Sequence, residues 1–181
     1  MFSLGGNCAP AFHLKQLKKR KFSLPFDWSK MNIKMLFNVL NNNFNDYELV
    51  KFKKNSDKHY NFKQLTNQSI ILKNKYGIEF AHELNSISEI EKFSSTLKKR
   101  IERFKSLVNP TFIRLETQNL NQNQMKIYSQ IELELQKIFG EFKIILISNI
   151  EYTSKYTHWI KLNNFDSDWR YLSIDWDKLI T

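Results

Sequence analysis

The chain has one cysteine, Cys8, and it follows the run Ser3-Leu4-Gly5-Gly6-Asn7. Such a run reads as a short strand, a tight glycine turn and the start of a helix. A thiol at that point faces the positive end of the helix dipole, which favours the thiolate, the form that attacks a carbonyl carbon. Backbone N–H groups of the first helical turn can also stabilise the oxyanion formed in acyl transfer. Gly5 and Gly6 allow backbone angles closed to other residues and a close approach by substrate. Asn7 adds a side-chain amide at the same turn. The plain alternative for a cysteine is a small buried hydrophobe.

A thiol nucleophile needs a base, and His82 is the best placed of the four histidines. It ends the strand-like run Gly77-Ile78-Glu79-Phe80-Ala81, where sheet edges meet loops. His13 lies on the cysteine's own helix, His59 in a charged stretch and His158 near the C terminus. Asp27, on the stiff loop Pro25-Phe26-Asp27-Trp28, is a carboxylate that could hold an imidazole in one tautomer. A turn or capping role is its alternative. Asp166 and Asp168 are reserves. No two histidines share a metal-ligand spacing, and neither a dinucleotide nor a Walker phosphate loop is present, so no metal or cofactor is expected.

These residues must be positioned by elements that the apolar spacing predicts. Met1 to Leu4 reads as a strand, and Pro10, Ala11, Leu14 and Leu17 as a helix ending in Lys18-Lys19-Arg20-Lys21. A second helix is expected from about Asn32 to Leu40, and a short strand around Leu49 to Phe52. Ser69 to Leu72 and Ile78 to His82 read as a hairpin. Ser88 and Glu91 form a capping-box pattern ahead of a long amphipathic helix through Phe93, Leu97, Ile101 and Phe104, with Asn109-Pro110 beyond it. Thr111 to Leu115 reads as a strand, Gln122 to Phe139 as a helix capped by Gly140, and Phe142 to Ile147 as a strand buried on both faces. A short strand near Trp159 to Leu162, the acidic loop at Asp166 and a terminal helix complete the chain. The strand–helix alternation points to the α/β class: one domain over residues 1–181, with a mixed, partly parallel sheet flanked by helices. A papain-like arrangement is the alternative.

At 181 residues and 41% hydrophobic composition, the chain can bury a full core. No apolar run approaches the roughly 20 residues that span a bilayer. The N terminus lacks the basic start and apolar centre of a secretory signal. A lone thiol suits a reducing compartment, so the expectation is cytoplasmic. The net charge of +10 invites an anionic partner, such as a glycan or nucleic acid. However, 23 of the 28 basic residues are lysine, and runs such as Asn41-Asn42-Asn43 match the codon bias of an A/T-rich gene. Readers of nucleic acid favour arginine.

Three segments in this order resemble a family called the putative papain-like cysteine peptidases, whose members occur in bacteria and large DNA viruses. They are Ser3 to Cys8 followed by Ala11, then Pro25 to Trp28, then Tyr76 to Glu83. Lys99-Arg100-Ile101-Glu102-Arg103-Phe104 ahead of the Phe112-Ile113 strand adds to the likeness. The resemblance spans about residues 1 to 116 and is looser beyond. It implies Cys8 as nucleophile and His82 as its base, in the Cys-before-His order of papain-like enzymes. No glutamine precedes Cys8 as oxyanion donor, which leaves Asn7 for that part. No Asn or Asp stands in the strand after His82, which leaves Asp27 or the Asp166 loop as orienter. The function expected is acyl transfer from a peptide, ester or thioester. The alternatives are a non-catalytic or transferase domain acting on a cell-surface glycan or nucleotide sugar, and a basic nucleic-acid-binding module.

Overall fold

The structure, a computed structural model, describes residues 1–53, 71–81, 83 and 86–180. In chain order the elements are β1 (Phe2–Ser3), α1 (Ala9–Gln16), β2 (Ser29–Lys30), α2 (Ile33–Asn41), β3 (Val50–Lys53), β4 (Ile71–Asn74) and β5 (Glu79–Phe80). They are followed by α3 (Ile90–Lys105), β6 (Thr111–Leu115), α4 (Gln122–Phe139), β7 (Lys143–Ser148), β8 (Thr157–Lys161) and α5 (Trp176–Ile180). The α/β class is as expected, and the parallel and antiparallel pairs occupy two separate sheets.

The first sheet has the order β1-β6-β7-β8 and is parallel throughout. Its inner strands β6 and β7 are largely apolar on both faces because helices cover both. Ile113, Leu115 and Ile147 meet Ala9 and Leu14 of α1 and Trp176 and Ile180 of α5. The alternate residues Phe112, Ile144 and Leu146 join α2, α3 and α4 through Leu36, Phe104 and Leu135. The period of two along a strand thus separates two cores, one on each face.

The second sheet has the antiparallel order β2-β5-β4-β3. The expected hairpin is its centre, with Leu72 opposite Phe80, and both side chains are fully buried in the larger core. Ser69 and His82, at the outer ends of that hairpin reading, lie outside the described residues.

Helix ends follow local chemistry. The Asn32 side chain accepts from the Met35 N–H at 3.0 Å and starts α2. At α4 the Asn121 side chain accepts from the Gln124 N–H while the Gln124 side chain accepts from the Asn121 N–H, a reciprocal cap. Gly140, at φ 68°, closes the same helix. The capping box expected from Ser88 and Glu91 is not formed. A 3-10 turn over Ile87–Glu89 precedes α3, the Ser88 hydroxyl meets that of Ser86 at 2.7 Å, and the carboxylate of the cap residue Glu89 turns back to accept from the Ser86 N–H at 3.3 Å. A tighter turn satisfies the end of the helix in its place.

Candidate active site

The site is built on the carboxyl edge of the parallel sheet, where open α/β sheets carry their ligands. The Leu4 N–H extends the β1 pairing by donating to Ile113 O at 2.8 Å. The chain then turns through Gly5 at φ +76° and Gly6 at φ +103°. A Cβ on Gly6 would lie 1.8 Å from the Leu115 carbonyl oxygen, so β6 itself requires glycine there. The Met31 N–H donates to Gly6 O at 3.2 Å and ties the turn to the second sheet.

Arg114 locks this turn from below. Its guanidinium is fully buried and donates from Nη1 to Leu4 O at 3.0 Å and from Nη2 to Met31 O at 3.2 Å. Its Nε donates to Glu116 Oε1 at 2.7 Å, and Tyr128 Oη donates to the same oxygen at 2.5 Å. The planar fork suits three acceptors in fixed directions, a role a lysine could not fill.

Asn7 and Cys8 follow at the start of α1. Asn7 Oδ1 accepts from the Ala9 N–H at 2.9 Å, while its Nδ2 donates to Trp169 O at 3.1 Å. One amide hydrogen of Asn7 therefore remains for a ligand. Cys8 is the cap residue of α1, its thiol making no cap hydrogen bond, with Pro10 in the first turn as expected. The residue keeps some open surface in densely packed surroundings, and it borders a cleft of about 360 Å³. Asn7, Thr117, Gln118 and Asp166 line that cleft from the ends of the parallel strands, and Trp28 and Ala81 face it from the second sheet's side.

The electrostatics correct one expectation. The helix start was expected to favour the thiolate, yet the Cys8 thiol is pushed up to about 12. Burial is the main cause, and the carboxylates of Glu83 and Asp27 add to it. Removal of the sulfur from water outweighs the field of an eight-residue helix. Both carboxylates are held by arginines. Arg100 grips Glu83 with two bonds, of 2.6 and 2.9 Å, and Arg20 Nη1 lies 3.4 Å from Asp27 Oδ2.

Asp27 sits on a stiff loop, as the sequence suggested. Its Oδ2 accepts from the Leu24 N–H at 3.1 Å, Tyr47 Oη donates to Pro25 O at 2.7 Å, and Ser29 Oγ donates to Phe26 O at 2.7 Å. Asp27 is 1% exposed, and burial raises its carboxyl to about 6 against the pull of Arg20 and the Leu24 N–H. The folded protein therefore holds this proton more tightly than the unfolded chain. The contribution is present below the unfolded value near 3.9 and is lost as pH rises through about 6; it amounts to about 3 kcal/mol. Asp27→Asn is accordingly expected to melt above the parent at pH 7.5, with the difference shrinking toward pH 4. A pH-independent difference in Tm would contradict this account.

The remaining candidates are scattered. Asp166 lines the cleft, with its two oxygens accepting from the Asp168 and Ser173 N–H groups at 3.0 and 3.4 Å. Asp168 pairs with Arg170, which holds its carboxyl down at about 2. His13 is buried on α1, stacks on Trp176 at 4.4 Å and donates from Nε2 to Arg170 O at 2.7 Å, so it fastens the C-terminal segment. His158 is exposed on β8. His59 and His82 lie outside the described residues. Among the described residues, no three His, Cys, Asp or Glu side chains gather as a metal site.

Sequence reasoning missed the Glu83–Arg100 pair. A signal for it exists, because Arg100 follows Leu97 by three and precedes Phe104 by four. That spacing puts it on the buried face of α3.

Comparison with known proteins adds to this geometry. The model of the family described as "Putative papain-like cysteine peptidase (DUF1796)" matches residues 1–151. The chain belongs to this family. Its turn, its thiol and its buried Asp27 loop all fall within the matched residues. The family's residues end just after β7, so β8, the Asp166 loop and α5 lie beyond them. A relative over nearly the whole length is the uncharacterized protein R408 of Acanthamoeba polyphaga mimivirus. It is 24% identical, over 98% of this chain and 95% of its own. No solved structure matches. Among the described residues, no helix is long and apolar enough to cross a membrane.

Proposed function

We propose that the chain is a cysteine-dependent acyl-transfer enzyme acting on a peptide, ester or thioester, with Cys8 as nucleophile and His82 as base. The observation that carries this reading is the thiol itself. It stands on a glycine turn at the carboxyl edge of a parallel sheet, and it borders a cleft large enough for a substrate group. Membership of a family described as cysteine peptidases supports the same role.

Because its described surroundings push the thiol upward, the resting nucleophile is the neutral thiol. The base must then take the proton as the carbon–sulfur bond forms. The His82 imidazole accepts it, and sulfur adds to the carbonyl carbon. The carbonyl electron pair moves to oxygen, and the Asn7 side-chain amide stabilises the oxyanion. Collapse expels the amine, alcohol or thiol, which takes the proton from His82. Water or another acceptor then resolves the thioester, restoring the Cys8 thiol. Asp27 serves as the orienting carboxylate, above its pKa of about 6. A nucleotide-sugar site at the same turn fits less well, because the Ala9 N–H is already donated to Asn7 Oδ1 and Pro10 has no N–H to offer a phosphate.

The test is alkylation of Cys8 by iodoacetamide across pH 5 to 9. Cys8 is expected to react about tenfold or more faster than free cysteine at pH 7, and His82→Ala to remove that advantage. A parent rate no faster than that of free cysteine would sink the proposal.

A further inference from the structure

The cleft beside Cys8 has an uneven lining. Trp28, Ile71, Ala81, Trp169 and Tyr171 supply apolar and aromatic surface, and Thr117 and Gln118 supply neutral hydrogen-bonding groups. Trp169 is 39% exposed, an unusual state for a large aromatic ring in a segment that is otherwise firmly held. Its carbonyl accepts from Asn7 Nδ2 at 3.1 Å, and its ring packs edge-to-face with Phe12, the centroids 5.4 Å apart. The next residue, Arg170, is tied through its carbonyl to His13, which also carries the Trp176 stack. Asn7, Phe12 and His13 belong to the turn and helix that present Cys8. The aromatic wall and the nucleophile are therefore fastened to one element and keep a fixed separation.

Charge narrows what can fit. Glu79 and Asp166 border the cleft, while Glu83 and Asp27 are held in ion pairs by Arg100 and Arg20. Lys30 is the cation among the lining residues, and it stands opposite Glu79 on the neighbouring strand. Arg100, Arg20 and Lys30 offset these carboxylates, so the cleft carries little net charge to attract an ionic group, whereas an uncharged apolar group would meet the indole and phenol surfaces.

From this we infer that the cleft selects acyl donors bearing an uncharged apolar or aromatic group, seated against Trp28, Trp169 and Tyr171. The inference rests on Cys8 being the reactive thiol. It adds that a specificity wall comes from Asp166 to Tyr171, outside the residues matched to the family. Thr117 and Gln118 then hold the polar amide or ester linking the apolar group to the carbonyl. A cleft of about 360 Å³ accommodates a phenyl-sized substituent with its linker.

Two alkylating probes test this, iodoacetamide and N-benzyl iodoacetamide. Both form a thioether at Cys8 with loss of iodide, and the thiol proton leaves to the base or solvent. Each rate is divided by that for free cysteine, which removes intrinsic reactivity. Burying even part of a phenyl ring is worth about tenfold, so the corrected benzyl rate should exceed the iodoacetamide rate by about that factor. Trp169→Ala should bring the ratio to near one and Trp169→Phe should retain part of it. Leu133→Ala, on the exposed side of α4, should leave it as in the parent. A parent ratio near one, or a ratio unmoved in Trp169→Ala, overturns the inference. Failure of the proposed function reads differently, as loss of the iodoacetamide advantage over free cysteine, because the ratio between probes is measured at whatever rate the thiol has.

Discussion

Gly6→Ala is expected to leave almost no folded protein at 37 °C. The new methyl carbon would sit 1.8 Å from the Leu115 carbonyl oxygen, about half a normal contact distance. That oxygen cannot yield, because Leu115 is held in register with Ile147, and the Glu116 N–H beside it donates to Ile147 O at 3.0 Å. The backbone angle of +103° adds strain for any residue with a side chain. The combined cost should reach at least about 4 kcal/mol, comparable with the whole stability of many domains. Gly5→Ala provides the contrast. Its Cβ would meet the Met31 sulfur at 2.8 Å, the movable part of a flexible side chain, at φ +76°. A loss of about 1–2 kcal/mol is expected there. Urea denaturation of both variants checks the order, and equal losses would mean that the Leu115 contact does not govern the turn.

Arg114→Met should have the second-largest effect, a loss of about 3–5 kcal/mol. The guanidinium is fully buried and satisfies Leu4 O, Met31 O and Glu116 at once. Removing it strands a carboxylate in the core that, among the described residues, keeps only the Tyr128 hydroxyl as partner. The double variant Arg114→Met/Glu116→Leu removes the stranded charge as well. It should recover about half of the loss, the two carbonyls still lacking their donors. Denaturant midpoints give the comparison. A double variant less stable than Arg114→Met would show that the carboxylate is satisfied without its arginine. Slower Cys8 alkylation in the single variant would further tie Arg114 to the position of the turn.

Much of this architecture was readable because the decisive signals were local. The strand at Thr111–Leu115 begins after Pro110, and the helix at Gln122–Phe139 ends at Gly140, so both bounds agree with the spacing of apolar residues. The turn at Gly5 and Gly6 was equally plain, since the residue types specify its backbone angles. Non-local choices were hidden. Nothing near Ser29 or Val50 shows that these strands leave the parallel sheet and form their own with the hairpin. The thiol's electrostatics were misread for the same reason. Helix position is local, but burial and the charges of Glu83 and Asp27 come from distant parts of the chain. The buried Arg114 was hidden inside an apolar strand, its partners Leu4 and Met31 far away in sequence.

The pairing of Phe2 with Phe112 has a consequence for how the molecule assembles. The β6–α4–β7 unit closes a short stretch of chain, whereas the two-residue β1 must wait for a partner made much later. Loop-closure entropy makes such a contact slow to form, so β1 is expected to dock after the rest of its sheet has condensed. In pulse-labelled hydrogen exchange during refolding, the Leu4 amide should gain protection after the strand amides of β7. Simultaneous protection would argue against that order. A chain still emerging from the ribosome would then carry its cysteine on an undocked arm, and the proposed reactive centre would come into being only once β1 joins the condensed sheet.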